Sequence, residues 1–372
     1  METLKLLLTN FLNKGTIMAT TGWGAGSNNA VKLWSKRLMS EALRQTWLYK
    51  FMGTSDDSMI QVLDDTQKGP GDQITYQLRA QLCALGVQGD GTLEGAEETM
   101  NVYTDTMVID QLRNAVRSKG KMSEQRVPFS VREEMQKALS DWYAGVFDLG
   151  GFNQLIGLTT ADTRQAGNQA ATAPTNVVLA NSSTTASVVS AGASASNVFN
   201  ITLIDRALEQ AKLDNTCDGT GFPLRPIKID GSDYFVCFLH PYQVTSMRTS
   251  TTAGQWFDIQ QAALQGGEIT NNPIFTGALG VYNNVIFHET ARITKDANGA
   301  FRAILCGAQS AVLAFGQDNA GNKVSWTEEL FDYGNQLGVS AGMIWGLKKT
   351  VFNSLDFGVI TIYTTGVANG GL

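Results

Sequence analysis

The segment Gly338-Val339-Ser340-Ala341-Gly342 is the part of this chain that most resembles a catalytic motif, since it fits the pattern GxSxG. In an α/β-hydrolase this pattern forms a sharp turn that presents the serine as a nucleophile, and the acidic residue and the histidine follow it along the chain. Here both histidines, His240 and His288, precede Ser340. The required order is not met, so we interpret the motif as a chance match and keep a serine hydrolase using Ser340 as a remote alternative.

Metal, phosphate and redox chemistry have no matching motif. The chain contains neither an HExxH zinc motif nor a GxxxxGK[ST] phosphate loop, and each histidine is interpreted as structural. The segment 296–299 lacks the rest of a calcium loop and is predicted to be a hairpin turn. Four cysteines are widely spaced and are expected to be reduced thiols: Cys83, Cys217, Cys237 and Cys306. We therefore predict no catalytic residue, no metal and no cofactor.

Composition favours a protein with extensive protein contacts. Charged residues make up 17% of the 372 residues, against roughly 25% in ordinary soluble domains. Neutral surface suits the cores of protein interfaces, where charged residues are depleted. A monomer with few charges would show the same fraction of charged residues. The net charge of −6, from 34 acids and 28 bases, argues against a general nucleic-acid coat but permits local basic patches.

The chain shows no segment typical of export or membrane insertion. Residues 4–12 are apolar, but Glu2 stands where a signal peptide needs basic residues. No apolar run approaches the roughly 20 residues that a membrane-spanning helix requires. We expect no membrane partner and synthesis in a cytoplasm.

The first third of the chain predicts an arm followed by a long hairpin. Apolar residues recur at helical spacing over 28–51, after a glycine-rich lead at 22–26 and before a polar connector at 55–65. A turn at 69–72 then precedes alternating apolar residues at 74–78, and 97–109 is again prone to form strands. The glycines between them predict a flexible tip.

A helix beginning at Ser130 is the best-marked element, and its predicted end is Gly150 or Gly151. Ser130 and Glu133 fit a capping box. Thr159 to Asn197 is rich in Thr, Ala, Ser and Asn and is compatible with a loop or with weak strands. Further elements are a helix from Asn200, one from Pro241, and strands near 234–239, 284–288, 303–306, 311–315 and 357–363. The mixture without a regular βαβ rhythm predicts an α+β fold.

Charge reverses its sign between the hairpin and the residues that follow it. No Lys or Arg occurs in 80–112, where the acids include Asp90, Glu94, Glu97, Glu98, Asp105 and Asp110. The next segment is basic, with Arg113, Arg117, Lys119, Lys121, Arg126 and Arg132, and the arm carries Lys32, Lys36 and Arg37. These sets are either solvated faces or complementary surfaces on neighbouring subunits. The basic set also suits contact with DNA.

The order of these elements resembles that of tailed-bacteriophage major capsid proteins of the Hong Kong 97-type fold. The likeness is carried by Val31-Lys32-Leu33-Trp34-Ser35, Gly69-Pro70-Gly71-Asp72, Leu93-Glu94-Gly95, Val108-Ile109-Asp110-Gln111 and the helix from Ser130. It covers about a third of the chain. A tail or baseplate component is the structural alternative, favoured by the Thr/Ala/Ser-rich stretch.

The resemblance implies an architecture and a set of partners. The implied parts are an N-terminal arm (1–55), an extended β-hairpin loop (56–118), a peripheral domain with a long spine helix (119–200), an axial domain (201–345) and a return to the peripheral domain (346–372). Copies would assemble as hexamers and pentamers into an icosahedral shell around packaged double-stranded DNA, bound without sequence specificity. Portal, scaffold or decoration proteins are further implied partners, and the virion, made in a host bacterial cytoplasm, is the implied location.

Overall fold

A computed structural model describes residues 41–42, 46–63, 72–180, 197–213, 222–229, 231–249, 278–295, 300–317 and 322–365. The strands, numbered in chain order, are β1 (Met52–Gly53), β2 (Ile60–Leu63), β3 (Gln73–Arg79), β4 (Val102–Val108), β5 (Asp110–Arg117), β6 (Val177–Leu179), β7 (Ile227–Ile229), β8 (Ser232–Leu239), β9 (Ala278–Tyr282), β10 (Val285–Glu289), β11 (Ala300–Cys306), β12 (Ala311–Phe315), β13 (Val324–Phe331), β14 (Gln336–Lys349), β15 (Val351–Phe352), β16 (Leu355–Asp356) and β17 (Val359–Thr365). The helices are α1 (Lys121–Gln125), α2 (Val131–Leu155), α3 (Ile201–Lys212) and α4 (Pro241–Thr249), with 3-10 helices at Trp47–Phe51 and Thr163–Ala166.

Two sheets organise the described chain. The first has the order β1-β2-β12-β14-β13, and β5 also pairs with β14, over residues 338–345. The second has the order β6-β17-β11-β8-β10-β9, with β7 pairing with β8. The hairpin β3–β4 forms a separate two-stranded ribbon. This mixture of helices and sheets confirms the predicted α+β class.

Helix α2 packs its apolar face against the first sheet. Tyr143 and Phe147 are buried there, and the Phe147 ring lies 4.6 Å from the Trp345 ring on β14. Tyr143 also donates a hydrogen bond to the Ala341 carbonyl at 2.9 Å. A second apolar cluster lies between the second sheet and helices α3 and α4. The long helix and the long strand β14 thus form a rigid frame, from which the hairpin extends.

Three local predictions for helices are wrong. Helix α2 continues through both glycines to Leu155, because Gly150 serves close packing rather than termination: a Cβ there would lie 1.8 Å from the Gln165 carbonyl oxygen. Ser130 is the N-cap but makes no side-chain capping bond. The helix predicted over 28–51 does not reach residue 51 unbroken, because Thr46 is extended and a 3-10 helix follows it.

The end of the predicted arm is fixed in the body. The Trp47 and Leu48 N–H groups each donate to the carboxylate of Asp148 on α2, at 3.1 Å. The Trp47 ring lies 5.4 Å from the Phe238 ring. The predicted polar connector 55–65 contains β2, which pairs in parallel with β12 in the first sheet. Earlier in the arm, residues 41–42 are helical, and the other residues before Thr46 lie outside the described part of the chain.

The sheet topology shows how the strands lie relative to the expected boundaries at 118, 345 and 346, which remain predictions. A cut at 345 divides β14, and the segment expected to return to the peripheral domain holds β17, a strand of the second sheet. Strand β5, assigned by the sequence to the extended loop, pairs with β14 over eight residues. Alternation of apolar residues predicts a strand but not the sheet in which that strand pairs.

Candidate assembly surfaces

The predicted hairpin is confirmed as an antiparallel ribbon. Strand β3 pairs with β4 from Gln73↔Val108 to Arg79↔Val102. Residues 81–101 between them are almost entirely exposed, and Gly86, Gly89 and Gly95 adopt positive φ there. Glycine adopts such angles without steric cost. The ribbon therefore ends in a turn-rich tip, defined here as residues 80–101, which has no buried residue.

Asp105 anchors the root of the hairpin instead of facing outward, as the pattern of acids suggested. Its carboxylate accepts from the Lys348 ammonium, from the Val351 N–H at 3.3 Å and from the Tyr76 hydroxyl at 2.5 Å. Burial and this carboxylate raise the pKa of Tyr76 well above its usual range. Since Lys348 lies at the end of β14, the root is held against the first sheet.

The four acidic tip residues differ in their surroundings. Glu98 accepts hydrogen bonds from the N–H groups of Cys83 and Ala84, each at 2.7 Å, and these bonds lower the pKa of its carboxyl group. Glu97 accepts from the Gly95 N–H at 2.7 Å. Asp90 and Glu94 are exposed. The structure thus gives Glu97 and Glu98 roles in the turn itself and leaves Asp90 and Glu94 as the acids best placed to reach another molecule.

Aliphatic side chains at the same tip are a feature that charge reasoning missed. Leu85 is fully exposed, and the side chains of Leu82 and Leu93 are 57% and 59% exposed. Large exposed apolar side chains grouped on one projection are typical of interaction sites. The glycines drew attention to the flexibility of this segment, whereas its leucines could have indicated a contact.

The basic residues after the hairpin lie on the exposed side of β5 and on the segment that follows it. Arg113 packs over Gly342 of β14, and the Arg117 guanidinium lies 4.3 Å from the centre of the Phe331 ring. Lys119, Lys121 and Arg126 are exposed. Arg132 instead forms an ion pair with Glu328 at 2.7 Å. Lys32, Lys36 and Arg37 lie outside the described residues.

The turn between β13 and β14 presents an aromatic residue in an unusual backbone conformation. Asp332, Tyr333 and Gly334 have φ values of 53°, 51° and 82°. A left-handed conformation is uncommon for an aromatic residue. The Tyr333 side chain is fully exposed, and Leu330 beside it is 67% exposed. This turn was not predicted, although Asp332, Gly334 and Asn335 are residue types that favour turns.

The residues first considered for chemistry occupy structural positions. Ser340 lies in the middle of β14, between β5 and β13, so the GxSxG segment is a strand rather than a nucleophile turn. His288 is buried, and its ring lies 5.7 Å from that of Trp47. Among the described residues, no group of three or more His, Cys, Asp or Glu side chains is placed to hold a metal ion.

The described cysteines are not all in the same state. Cys83 is disulfide-bonded, so the prediction of reduced thiols is wrong there. Spacing along the chain does not reveal which sulfur atoms meet in space, and proximity decides whether a disulfide forms. Cys237 and Cys306 are free and buried, and burial raises the pKa of the Cys306 thiol to about 12. Such a thiol is an inert part of the core.

Within the described part of the chain, the helices are too short or too polar to cross a membrane. A family model described as "Phage capsid protein" matches residues 22–368. A major capsid protein of Pseudomonas phage KPP25 is 24% identical over 387 residues, which cover 92% of this chain and 97% of that protein.

Two solved capsid structures share the fold. The capsid of Ralstonia phage GP4 matches with a TM-score of 0.75 and 28% identity, covering 96% of this chain and 98% of that one. The capsid of cyanophage Pam1 matches with a TM-score of 0.68 and 19% identity, covering 88% and 93%. At these coverages the likeness extends over nearly the whole chain.

Proposed function

The chain belongs to the family of phage capsid proteins, structural components of the virion, and we propose that its copies form hexamers and pentamers of an icosahedral shell around double-stranded DNA. The match over residues 22–368 is the observation that carries this proposal. Self-association agrees with the neighbours in fold, which are capsid assemblies. The comparisons do not favour a tail or baseplate component.

The architecture proposed is that of the Hong Kong 97-type fold, with boundaries adjusted to the two sheets. Helix α2 and the first sheet form the peripheral domain, with α2 as the spine helix. The second sheet with α3 and α4 forms the axial domain. The extended loop is the ribbon β3–β4 with its tip, and the arm comprises the residues before Thr46. The apolar cluster between the second sheet and helices α3 and α4 supports this division. The opposite face of that sheet, with Phe238 and Ile304, packs with α2 and the first sheet.

The acidic tip is proposed to lie on a basic surface of a neighbouring subunit. Asp90 and Glu94 carry the charge, while Glu97 and Glu98 shape the turn. The basic set Arg113, Arg117, Lys119, Lys121, Arg126, Lys32, Lys36 and Arg37 is proposed to face either a neighbouring subunit or DNA. Contacts with phosphate weaken as salt rises, so retention of DNA in the shell at increasing salt measures the second role. Portal, scaffold and decoration proteins remain proposed partners.

Electron microscopy of the purified protein tests the proposed function. We expect shells or rings of five and six subunits, and a protein that stays monomeric at high concentration would contradict it. The double variant Asp90→Lys with Glu94→Lys should form fewer particles while keeping the circular dichroism spectrum of the wild type. Its matched control is Asp233→Lys with Glu289→Lys, which changes the net charge equally at exposed positions outside the hairpin.

A non-enzymatic role is also proposed. Its support is the position of Ser340 inside a strand, where the serine lacks the sharp turn of a hydrolase. A fluorophosphonate probe should leave the protein unlabelled. Labelling that disappears in Ser340→Ala would favour the hydrolase instead.

A further inference from the structure

We propose that the disulfide at Cys83 is a redox-sensitive latch, which joins the hairpin β3–β4 to its own subunit through Cys217 and forms only after the protein has left a reducing cytoplasm. The latch is separate from any contact between copies, because both sulfur atoms belong to one chain. Its timing rests on the proposed function, since a capsid protein is made inside a cell and then released. The pairing of the two cysteines does not.

The partner of Cys83 follows from the states of the other cysteines. The chain has four cysteines, and Cys83 is disulfide-bonded. Cys237 and Cys306 are free and buried in the core. A disulfide within one chain therefore leaves Cys217 as the partner, a residue that lies outside the described part of the chain.

One face of the hairpin rests on the body of the same subunit. Along β3 the side chains alternate, so that Ile74, Tyr76 and Leu78 are half-buried while their neighbours are exposed. Across the ribbon, Tyr103 and Asp105 of β4 are half-buried in the same way. A ribbon with one covered face is held by its own subunit along its length, in addition to its root.

A series of five aromatic rings lies at that face. The Tyr76 ring is 5.8 Å from the Phe352 ring, and the Tyr103 ring is 5.8 Å from the Phe222 ring. Phe357 completes the series, at 5.3 Å from Phe352 and 6.0 Å from Phe222. Centroid separations of roughly 4.5–7 Å are typical of favourable aromatic pairs. Phe222 is thereby held beside β4 of the same subunit.

The two cysteines are within reach of each other from this ring contact. Leu78 pairs with Tyr103, and Cys83 lies five residues beyond Leu78. Cys217 lies five residues before Phe222, whose ring contacts Tyr103. An extended chain rises about 3.3 Å per residue, so each five-residue segment spans at most roughly 17 Å. Two segments of equal reach that start from one contact let the sulfur atoms meet at the base of the tip.

Cys83 lies in a stretch, 81–101, in which every residue is exposed, so small thiols and disulfides reach it. The reductants of a cytoplasm keep such cysteines as thiols. Outside the cell, one cysteine thiolate attacks a low-molecular-weight disulfide and releases a small thiol. The second thiolate attacks the resulting mixed disulfide and releases the other small thiol. Two protein thiols are thus oxidised to one disulfide, and one small disulfide is reduced to two small thiols that take up the two protons.

The latch gives the hairpin different constraints before and after release. With both thiols reduced, Asp105 at the root and the aromatic rings hold the hairpin through non-covalent contacts. With the disulfide formed, the base of the tip is also bound covalently, while the residues beyond Cys83 stay exposed. Assembly therefore proceeds with a hairpin that can adjust, and the released shell keeps a hairpin whose position is fixed.

Peptide mapping without reductant tests the pairing. Full-length protein is treated with oxidised glutathione, alkylated in the native state with N-ethylmaleimide and digested with pepsin at acidic pH, where disulfide exchange is slow. Mass spectrometry should find peptides containing Cys83 joined to peptides containing Cys217. The buried Cys237 and Cys306 are internal controls and should stay unmodified.

A mixture of ¹⁵N-labelled and unlabelled protein, oxidised together, distinguishes pairing within a chain from pairing between chains. Every joined pair of peptides should be either fully labelled or fully unlabelled. Alkylated Cys83, a partner other than Cys217, or a pair with one labelled member would overturn the latch.

Trapping thiols before release tests the timing. Cells that produce the protein are treated with N-ethylmaleimide before lysis, and both Cys83 and Cys217 should carry the label. A parallel sample, lysed without the reagent and exposed to oxidised glutathione, should carry the disulfide. A disulfide already present in the cells would overturn the timing.

Hydrogen exchange measures what the latch holds. Reduction of the oxidised wild type with dithiothreitol should make peptides covering 80–101 exchange about tenfold faster, because the disulfide no longer restricts their opening. Cys83→Ser and Cys217→Ser should exchange like the reduced wild type and should not respond to dithiothreitol. Peptides from α2 should exchange equally in every sample.

Equal exchange of 80–101 in the oxidised and the reduced wild type would contradict the latch. The mapping and exchange measurements apply to unassembled protein as well as to particles. Failure of the wild type to form particles therefore counts against the proposed function alone, and failure of the pairing counts against the latch alone.

Discussion

The Lys349 ammonium lies 2.6 Å from the Asp356 carboxylate, and the two side chains are 0% and 1% exposed. Lys349 ends β14 of the first sheet, whereas the Asp356 carboxylate also accepts from the Thr175 N–H at 2.9 Å. Thr175 lies two residues before β6 of the second sheet. Burial lowers the pKa of Lys349, and Asp356 opposes that change. The ion pair thus joins the two sheets at a point that water does not reach.

Removing one partner of this pair should destabilise the subunit strongly. We expect Lys349→Met to lower the free energy of unfolding by about 3–5 kcal/mol, because Asp356 is left as a buried charge without its counter-ion. Urea denaturation of the unassembled subunit measures this change. Lys137→Met is the control: its ion pair with Glu134 is exposed on α2, so its loss should change the free energy of unfolding far less than Lys349→Met does. Equal losses in the two variants would contradict the role assigned to the buried pair.

Asp148 should make stability depend on pH. Burial raises the pKa of its carboxyl group, against the opposing effects of the Trp47 and Leu48 N–H groups and Arg292. A raised pKa means that the folded protein binds the proton more tightly than the unfolded chain. The stability that Asp148 contributes is therefore full below its unfolded pKa and falls as pH rises through the folded pKa.

The variant Asp148→Asn tests whether the stability contributed by Asp148 falls as pH rises. At pH 7 the variant should lose about 1–3 kcal/mol, because one of the two N–H groups loses its acceptor. The difference from wild type should be larger at pH 4 than at pH 7, as measured by urea denaturation at both values. A difference that grows with pH would show that the hydrogen bonds to the carboxylate outweigh its burial.

Two glycines with nearly the same backbone angle should respond differently to alanine. Gly167 and Gly89 have φ values of 68° and 66°, but a Cβ at Gly167 would lie 2.0 Å from the Trp345 carbonyl oxygen, whereas Gly89 has open space. Gly89→Ala should cost about 1–2 kcal/mol of stability, from backbone strain alone. Gly167→Ala should cost about 2–4 kcal/mol, since β14 must also move. Thermal denaturation of both variants measures these costs. Equal shifts in melting temperature would contradict the close approach of Gly167 to β14.

Glu98 should control the order of the tip without affecting the body. Glu98→Ala removes the acceptor for the Cys83 and Ala84 N–H groups, so hydrogen exchange in peptides covering 80–101 should become faster. Peptides from α2 should exchange as in the wild type. Glu94→Ala is the matched control. An equal increase in hydrogen exchange in both variants would contradict the role assigned to Glu98.

Features decided within a few residues could be predicted from the sequence. Asn200 caps α3, its side-chain oxygen accepting from the Leu203 N–H at 3.1 Å, and the strand predicted at 311–315 is β12 (Ala311–Phe315). The hairpin and the long helix follow from the same kind of local pattern. The family resemblance, read from the order of these elements, is likewise supported by the match over residues 22–368. The site residues remain predictions, because only contacts with another molecule can test them.

Local pattern by itself determined the elements, their order and the absence of a complete catalytic motif, since turn chemistry, capping and apolar periodicity act between near neighbours. Only the tertiary structure decided that β17 joins the second sheet, that Gly150 fits against Gln165 inside a continuous helix, and that Glu98 stabilises its own turn. Each of these depends on which distant groups meet in space. A single sequence does not show which distant residues come into contact, because one residue type can pack against many different neighbours.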